Sequence, residues 1–369
     1  MNTNGLATEG LTYRFVLLVS VVLICMSSLD SVIGGARYIK YAVAPVLFFL
    51  WLPNRQFSYS IRPLAGYILL VVCGMFSMFM GDVAFGFKDI VFMSSYIVPL
   101  ALFYTNRVKV REVFYIYIVF FLLTVPTKDI GVFSISGSST LFEGAESFVF
   151  GAFAISFFIR KEYSYLWLAL LMMMLTLKRI ALLGVIICLA IWVLPVVFKK
   201  WFLSAQALLA FNLVTLTFII LLTLGGMNEI IEVITGKSAT VLTLGRTSHY
   251  IGVVDDLMAH PAGVLIGNGA GSAYAKAVYN YTGDHLYANL HSDVLKIFYE
   301  YGIFVFLLFF YSMARLRTSA ARVLALYLSV LFISDNVLIY SGVMFFILYL
   351  ILSFEHDKSM NINNSYAAT

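Results

Sequence analysis

The sequence predicts an all-α, polytopic membrane protein of about twelve transmembrane helices with one large extracytoplasmic loop. Three observations predict it. Hydrophobic residues make up 62% of the 369 and charged residues 12%, where soluble chains carry roughly a quarter charged. Apolar runs of nearly the length that crosses a bilayer core recur from end to end. Between Thr243 and Gly302 the pattern yields to a long polar stretch that gathers four of the five histidines.

Each run can be placed. Spans are expected near residues 12–28, 38–52, 64–80, 90–104, 112–126, 147–160, 164–177, 180–198, 203–224, 292–313, 319–334 and 337–354. This divides the chain into helices one to nine (1–224), the large loop (225–290), helices ten to twelve (291–354) and a polar tail (355–369). A mean hydropathy of +0.94 excludes a soluble domain. The net charge of +5 is then a signal of topology, not of nucleic-acid binding, and membrane lipid is the expected surroundings.

Basic residues cluster in alternate short connections: Arg55 and Arg62; Arg107, Lys109 and Arg111; Arg160 and Lys161; Lys199 and Lys200; Arg315, Arg317 and Arg322. By the positive-inside rule those connections, and both termini, face the cytoplasm. Arg14 near the start of the first span, without a small-residue cleavage site, marks that span as retained. Cys25, Cys73 and Cys188 each sit in an apolar run without metal or redox spacing and read as packing residues.

Two outside segments stand out by length, 127–146 and 225–290, and long loops in a tightly connected protein usually carry function. In the larger one, Tyr250, Val253, Val254 and Leu257 have helical spacing, so a helix is expected from Arg246 to Ala259, stopped by His260-Pro261. GNGAGS follows as a turn that lets backbone approach a neighbour. Ser292 is the expected N-cap of the tenth span, which sets His291 at its outer mouth.

Asp293, Lys296 and Glu300 share one face of that helix. Charges at such depth pair with one another or face a wet cavity, so the trio is either a fastening between helices or part of a substrate path. Lys178-Arg179 lies at an outer junction, against the positive-inside rule: it either snorkels to headgroups or holds a phosphate. Arg246, at the start of its helix, either holds a phosphate or is solvated at the surface. His249, His260, His285 and His291 match no metal-ligand spacing, and Asp255-Asp256 reads as a solvated face; no metal and no cofactor is expected.

The order of these features resembles a known family. His291-Ser292, nine residues and Gly302 is similar to the H-[NSQ]-x9-G signature of the bacterial O-antigen ligase and polysaccharide polymerase superfamily. Arg246 followed by HPAGVLIGNGAGS resembles that family's segment ahead of the histidine. LKRIALLGV resembles its short arginine motif, with Lys178 replacing a small residue, and TLFEGAESFVFG its Glu-Pro segment, with Gly144 in place of proline. After Gly302 the run Ile303-Phe304-Val305 lacks the ligase continuation and leans toward polymerase.

The resemblance implies a membrane glycosyltransferase of the GT-C type in the bacterial inner membrane. It would take an undecaprenyl-diphosphate-linked oligosaccharide on the periplasmic face, without metal or cofactor. Arg179 and Arg246 would stabilise the diphosphate and His291 would handle the acceptor proton. Lys178, Glu143, His249, Asn268 and Tyr274 are the expected substrate contacts, with Tyr274, Tyr281 and Tyr287 as sugar-stacking or interfacial rings. A chain-length regulator is a candidate partner. The alternatives are a ligase acting on lipid A-core or protein, and a lipid-linked-oligosaccharide flippase.

Overall fold

Local chemistry sets the helix limits. Asp82 accepts the backbone N–H groups of Ala84 (2.9 Å) and Phe85 (3.1 Å), and Ser204, Thr318 and Ser292 accept from residues three further on, each satisfying an otherwise orphaned helix donor. The computed structural model describes residues 3–27, 29, 32–51, 61–127, 144–236, 246–281 and 290–357. Among them there are helices and turns but no strand.

The first helices are α1 (Thr3–Met26), α2 (Ile39–Trp51), α3 (Ala65–Ser77), α4 (Val83–Phe103) and α5 (Val110–Thr124). Next come α6 (Glu146–Ile159), α7 (Tyr163–Leu175), α8 (Arg179–Val193), α9 (Val196–Phe202) and α10 (Ala205–Thr223). Between residues 228 and 281 lie α11 (Asn228–Thr235), α12 (Arg246–Ala259), α13 (Ala262–Ile266) and α14 (Ser272–Tyr281). Three more follow: α15 (Asp293–Ala314), α16 (Ser319–Ser334) and α17 (Ser341–Glu355).

By length and composition, α4, α10 and α15 could each cross a membrane, and most of the other apolar helices run 10–17 residues. Side chains such as Phe49, Phe76, Phe79, Trp167 and Val214 stand exposed around the bundle, an apolar surface that fits lipid and not water. The centre is formed by α6, α16 and α17, whose residues are nearly all buried. Around it α8 packs on α16, α3 and α10 on α15, and α4 on α17.

Several expectations change. The run 180–198 is two helices, because Pro195 cannot continue α8 and instead precedes α9. The last span begins at Ser341, after a 3-10 turn at Val337–Ile339. Within α15 the backbone breaks at Gly302 (φ 73°, ψ 176°). A side chain there would collide with the carbonyl of Leu265, so Gly302 is where α13 docks against a kinked helix. By contrast α12 runs Arg246–Ala259 as expected, and its Tyr250, Val253, Val254 and Leu257 are buried.

Candidate functional site

The candidate site forms around three polar residues, Ser334-Asp335-Asn336, that interrupt the apolar sequence between α16 and α17. Four other elements send side chains there. Arg246, at the start of α12, donates from Nη1 to the carbonyl of Ser334 (2.6 Å). Lys178, ahead of α8, donates from Nζ to Asp335 Oδ2 (2.8 Å), while its backbone N–H donates to Ser147 Oγ of α6 (3.1 Å). The Tyr340 hydroxyl and the Asn336 N–H both donate to Asp335 Oδ1 (2.9 Å each). His291 Nδ1 faces that oxygen at 3.9 Å, beyond hydrogen-bond reach.

His291 is held in an unusual backbone state, with φ 54°, a conformation costly for a non-glycine residue and common where geometry is imposed from outside. Two contacts impose it. The Tyr250 hydroxyl of α12 donates to the His291 carbonyl (3.0 Å), and the next residue, Ser292, caps α15 by accepting from the Leu295 N–H (3.3 Å). The imidazole side chain stays 36% exposed, so the ring is positioned yet reachable.

The charges interact. Burial alone would push the Asp335 carboxyl up, but His291, Lys178 and Tyr340 outweigh it and hold that carboxyl below the usual range. Burial, then the neighbouring His291 and Arg246, push the His249 imidazole down, so it stays neutral at neutral pH. The His249 and His291 rings are 6.2 Å apart, edge to face. A carboxylate anchored by an ammonium, beside a guanidinium and two imidazoles, can bind an anion and accept a proton.

The structure therefore gathers Lys178, Arg246, His249 and His291. Arg179 follows Lys178 directly, as the exposed first residue of α8. Asn268 and Tyr274 sit elsewhere. The Asn268 amide donates to the Tyr299 carbonyl (3.4 Å), next to the docking of the glycine turn on α15. Tyr274 is buried, stacked on Phe85 at 4.9 Å, with the Lys296 ammonium over its ring at 4.5 Å. Glu143, His285, Tyr287 and the Tyr281 side chain lie outside the described residues.

Lower on α15 the charged trio fastens helices, though not by pairing within itself. Lys296 does not pair with its own helix: it bonds Asp89 of α4. Asp293 accepts from the Leu338 N–H (2.9 Å), and Glu300 from the Ala273 N–H (3.3 Å). All four side chains are buried. Asp256 also departs from a solvated face, since it accepts from the Tyr299 hydroxyl (2.5 Å) and pairs with Lys276 (2.5 Å), leaving only Asp255 exposed.

Sequence reasoning missed Asp335, Tyr250 and Asp89. The polar triplet Ser334-Asp335-Asn336 between two apolar runs was the available signal for the first. Tyr250 reads as one more apolar position of its helix, and Asp89 as a residue near the start of a span.

Residues 164–310 match the family model described as O-antigen ligase. The match spans less than half of the chain, yet holds Lys178, Arg179, Arg246, His249, His291 and Gly302. No curated protein and no solved structure matches.

Proposed function

On the premise that the chain falls in the O-antigen polymerase and ligase superfamily, which the matched region supports, we propose that it is a polysaccharide polymerase. It joins undecaprenyl-diphosphate-linked repeat units on the outer face of the bacterial cytoplasmic membrane. The observation that carries this reading is the convergence of Lys178 and Arg246, distant in the chain, on the Ser334-Asp335 turn beside His291.

The chemistry follows from those groups. The hydroxyl oxygen of an acceptor sugar attacks the anomeric carbon of the lipid-linked donor glycan. His291 takes the hydroxyl proton. The bond from that carbon to the diphosphate oxygen breaks, its electron pair stays on the oxygen, and polyprenyl diphosphate leaves. Arg246 and Arg179 offset the charge that develops on it by charge-assisted hydrogen bonds. Asp335 holds the Lys178 ammonium in place beside them. His249, neutral, is suited to hydrogen bonding with sugar.

Arg179, the residue after Lys178, is a proposed phosphate contact on the resemblance alone. Glu143 and Asn268 remain proposed substrate contacts on the resemblance alone, whereas Tyr274, buried against Phe85, is no longer one. A cleft of about 210 Å³, lined by Ile24, Phe121, Val343, Phe346 and Tyr340, suits the first part of the lipid tail. Tyr340 links it to Asp335.

The glycan profile of cells lacking the chain tests the reading. Loss of a polymerase leaves single capped units, whereas loss of a ligase leaves uncapped core with lipid-linked polymer accumulating. The second result would overturn the polymerase assignment.

A further inference from the structure

A cavity of about 540 Å³ lies at the end of the bundle opposite His291. The helices fix that placement. Ser147 at the start of α6 bonds Lys178, and Tyr340, just ahead of α17, bonds Asp335. The same two helices end next to Arg160 and His356, which line the cavity. The 15 residues of α17 separate the two ends by about 22 Å at about 1.5 Å per residue.

Its walls are built and not incidental. The Tyr104 hydroxyl donates to Asn106 Oδ1 (3.0 Å), and Asn106 Nδ2 donates to the His356 carbonyl (3.2 Å). The Tyr349 hydroxyl donates to the Val108 carbonyl (2.9 Å) and ties the α4–α5 connection to α17. Into this frame project three cations, Lys109, Arg111 and Arg160, against two carboxylates, Glu162 and Asp357.

Each guanidinium is held but not used up. Arg111 gives Nε to Glu162 (2.8 Å) with its plane 4.9 Å from the Tyr165 ring. Arg160 gives Nη1 to Asp357 and Nη2 to Ser353 (3.1 Å each), while its buried Nε has no partner among the described residues. The Lys109 ammonium pairs with no carboxylate among them. One positive charge is in surplus. Nearby, Tyr115, Tyr163 and Trp167 stand exposed, the aromatic belt expected at a membrane surface.

We infer that this cavity binds the phosphate of an anionic phospholipid headgroup, with Arg111 and Lys109 contacting it and Arg160 fixing the wall. The volume is that of a small-molecule site, and basic pockets between transmembrane helices take such headgroups.

Native mass spectrometry of the purified full chain tests it, with nanodiscs of phosphatidylglycerol or of phosphatidylcholine as lipid source. Phosphatidylglycerol should be retained, and Arg111→Gln or Lys109→Gln should each reduce its retention about fivefold. His291→Asn, at the far end, should leave it unchanged. Equal retention of the two lipids, or no loss in either variant, overturns the inference. So does binding of inorganic phosphate without preference for the anionic lipid.

Discussion

Helix α15 carries two polar clusters that differ in almost every respect. At its outer end His291 is strained in backbone, 3.9 Å from Asp335 and 36% exposed. Three residues into the helix, Lys296 is bonded to Asp89 with its side chain only 7% exposed. One cluster is held in place by its surroundings while its ring stays reachable; the other is closed. A buried pair of that kind contributes to which helices pack together, and breaking it leaves an uncompensated charge. The outer cluster instead keeps its reactive group available, the condition for chemistry.

The largest expected effect sharpens that difference. His291→Asn, which tolerates the left-handed backbone but cannot take the proton, should lower glycan transfer roughly 10²- to 10⁴-fold. Thermal unfolding in detergent should hardly move, since asparagine fits the backbone there. The inner cluster should answer in the opposite currency. Lys296→Ala should cost about 3–5 kcal/mol of stability, and pairing Lys296→Met with Asp89→Leu should restore most of it. A Lys296→Ala protein as stable as the parent would erase the distinction.

Asp335 joins the two behaviours, because it is buried yet anchors the outer cluster. Its carboxyl is held below the ordinary range, so its ionised contacts stabilise the fold above pH about 4 and fade as acid protonates it. Asp335→Asn should lose about 1.5–3 kcal/mol near neutrality, and the gap to the parent should close in unfolding scans below that pH. The smallest effect belongs to Ser292→Ala, which removes the cap of α15 at a cost of about 1 kcal/mol. A correspondingly modest drop in melting temperature is the readout.

What was legible in the sequence was local. His260-Pro261 stops α12 where a residue preceding proline should stop a helix, and Ser292 caps α15 by its own hydroxyl. The all-helical membrane class followed from composition alone. Partnerships across the chain were not legible: Lys178 finds Asp335 157 residues away, and Lys296 finds Asp89 across 207. Neither spacing has a period, so only packing could show that Lys296 leaves its own helix for another. Gly302 stood in the motif, but that it breaks α15 depends on Leu265 pressing against it. Likewise Tyr274 reads as a sugar-stacking ring until Phe85 is seen to cover it.

Arg246 and His291, brought to the Ser334-Asp335 turn, are proposed to act together on a lipid diphosphate. The most direct measurement is release of polyprenyl diphosphate from a synthetic lipid-linked repeat unit by the purified protein in nanodiscs. The parent should release it in step with chain growth, while Arg246→Lys, which keeps the charge but loses the two-pronged donor, and His291→Asn should release almost none though both remain folded. Release at the parental rate by both variants would contradict the account.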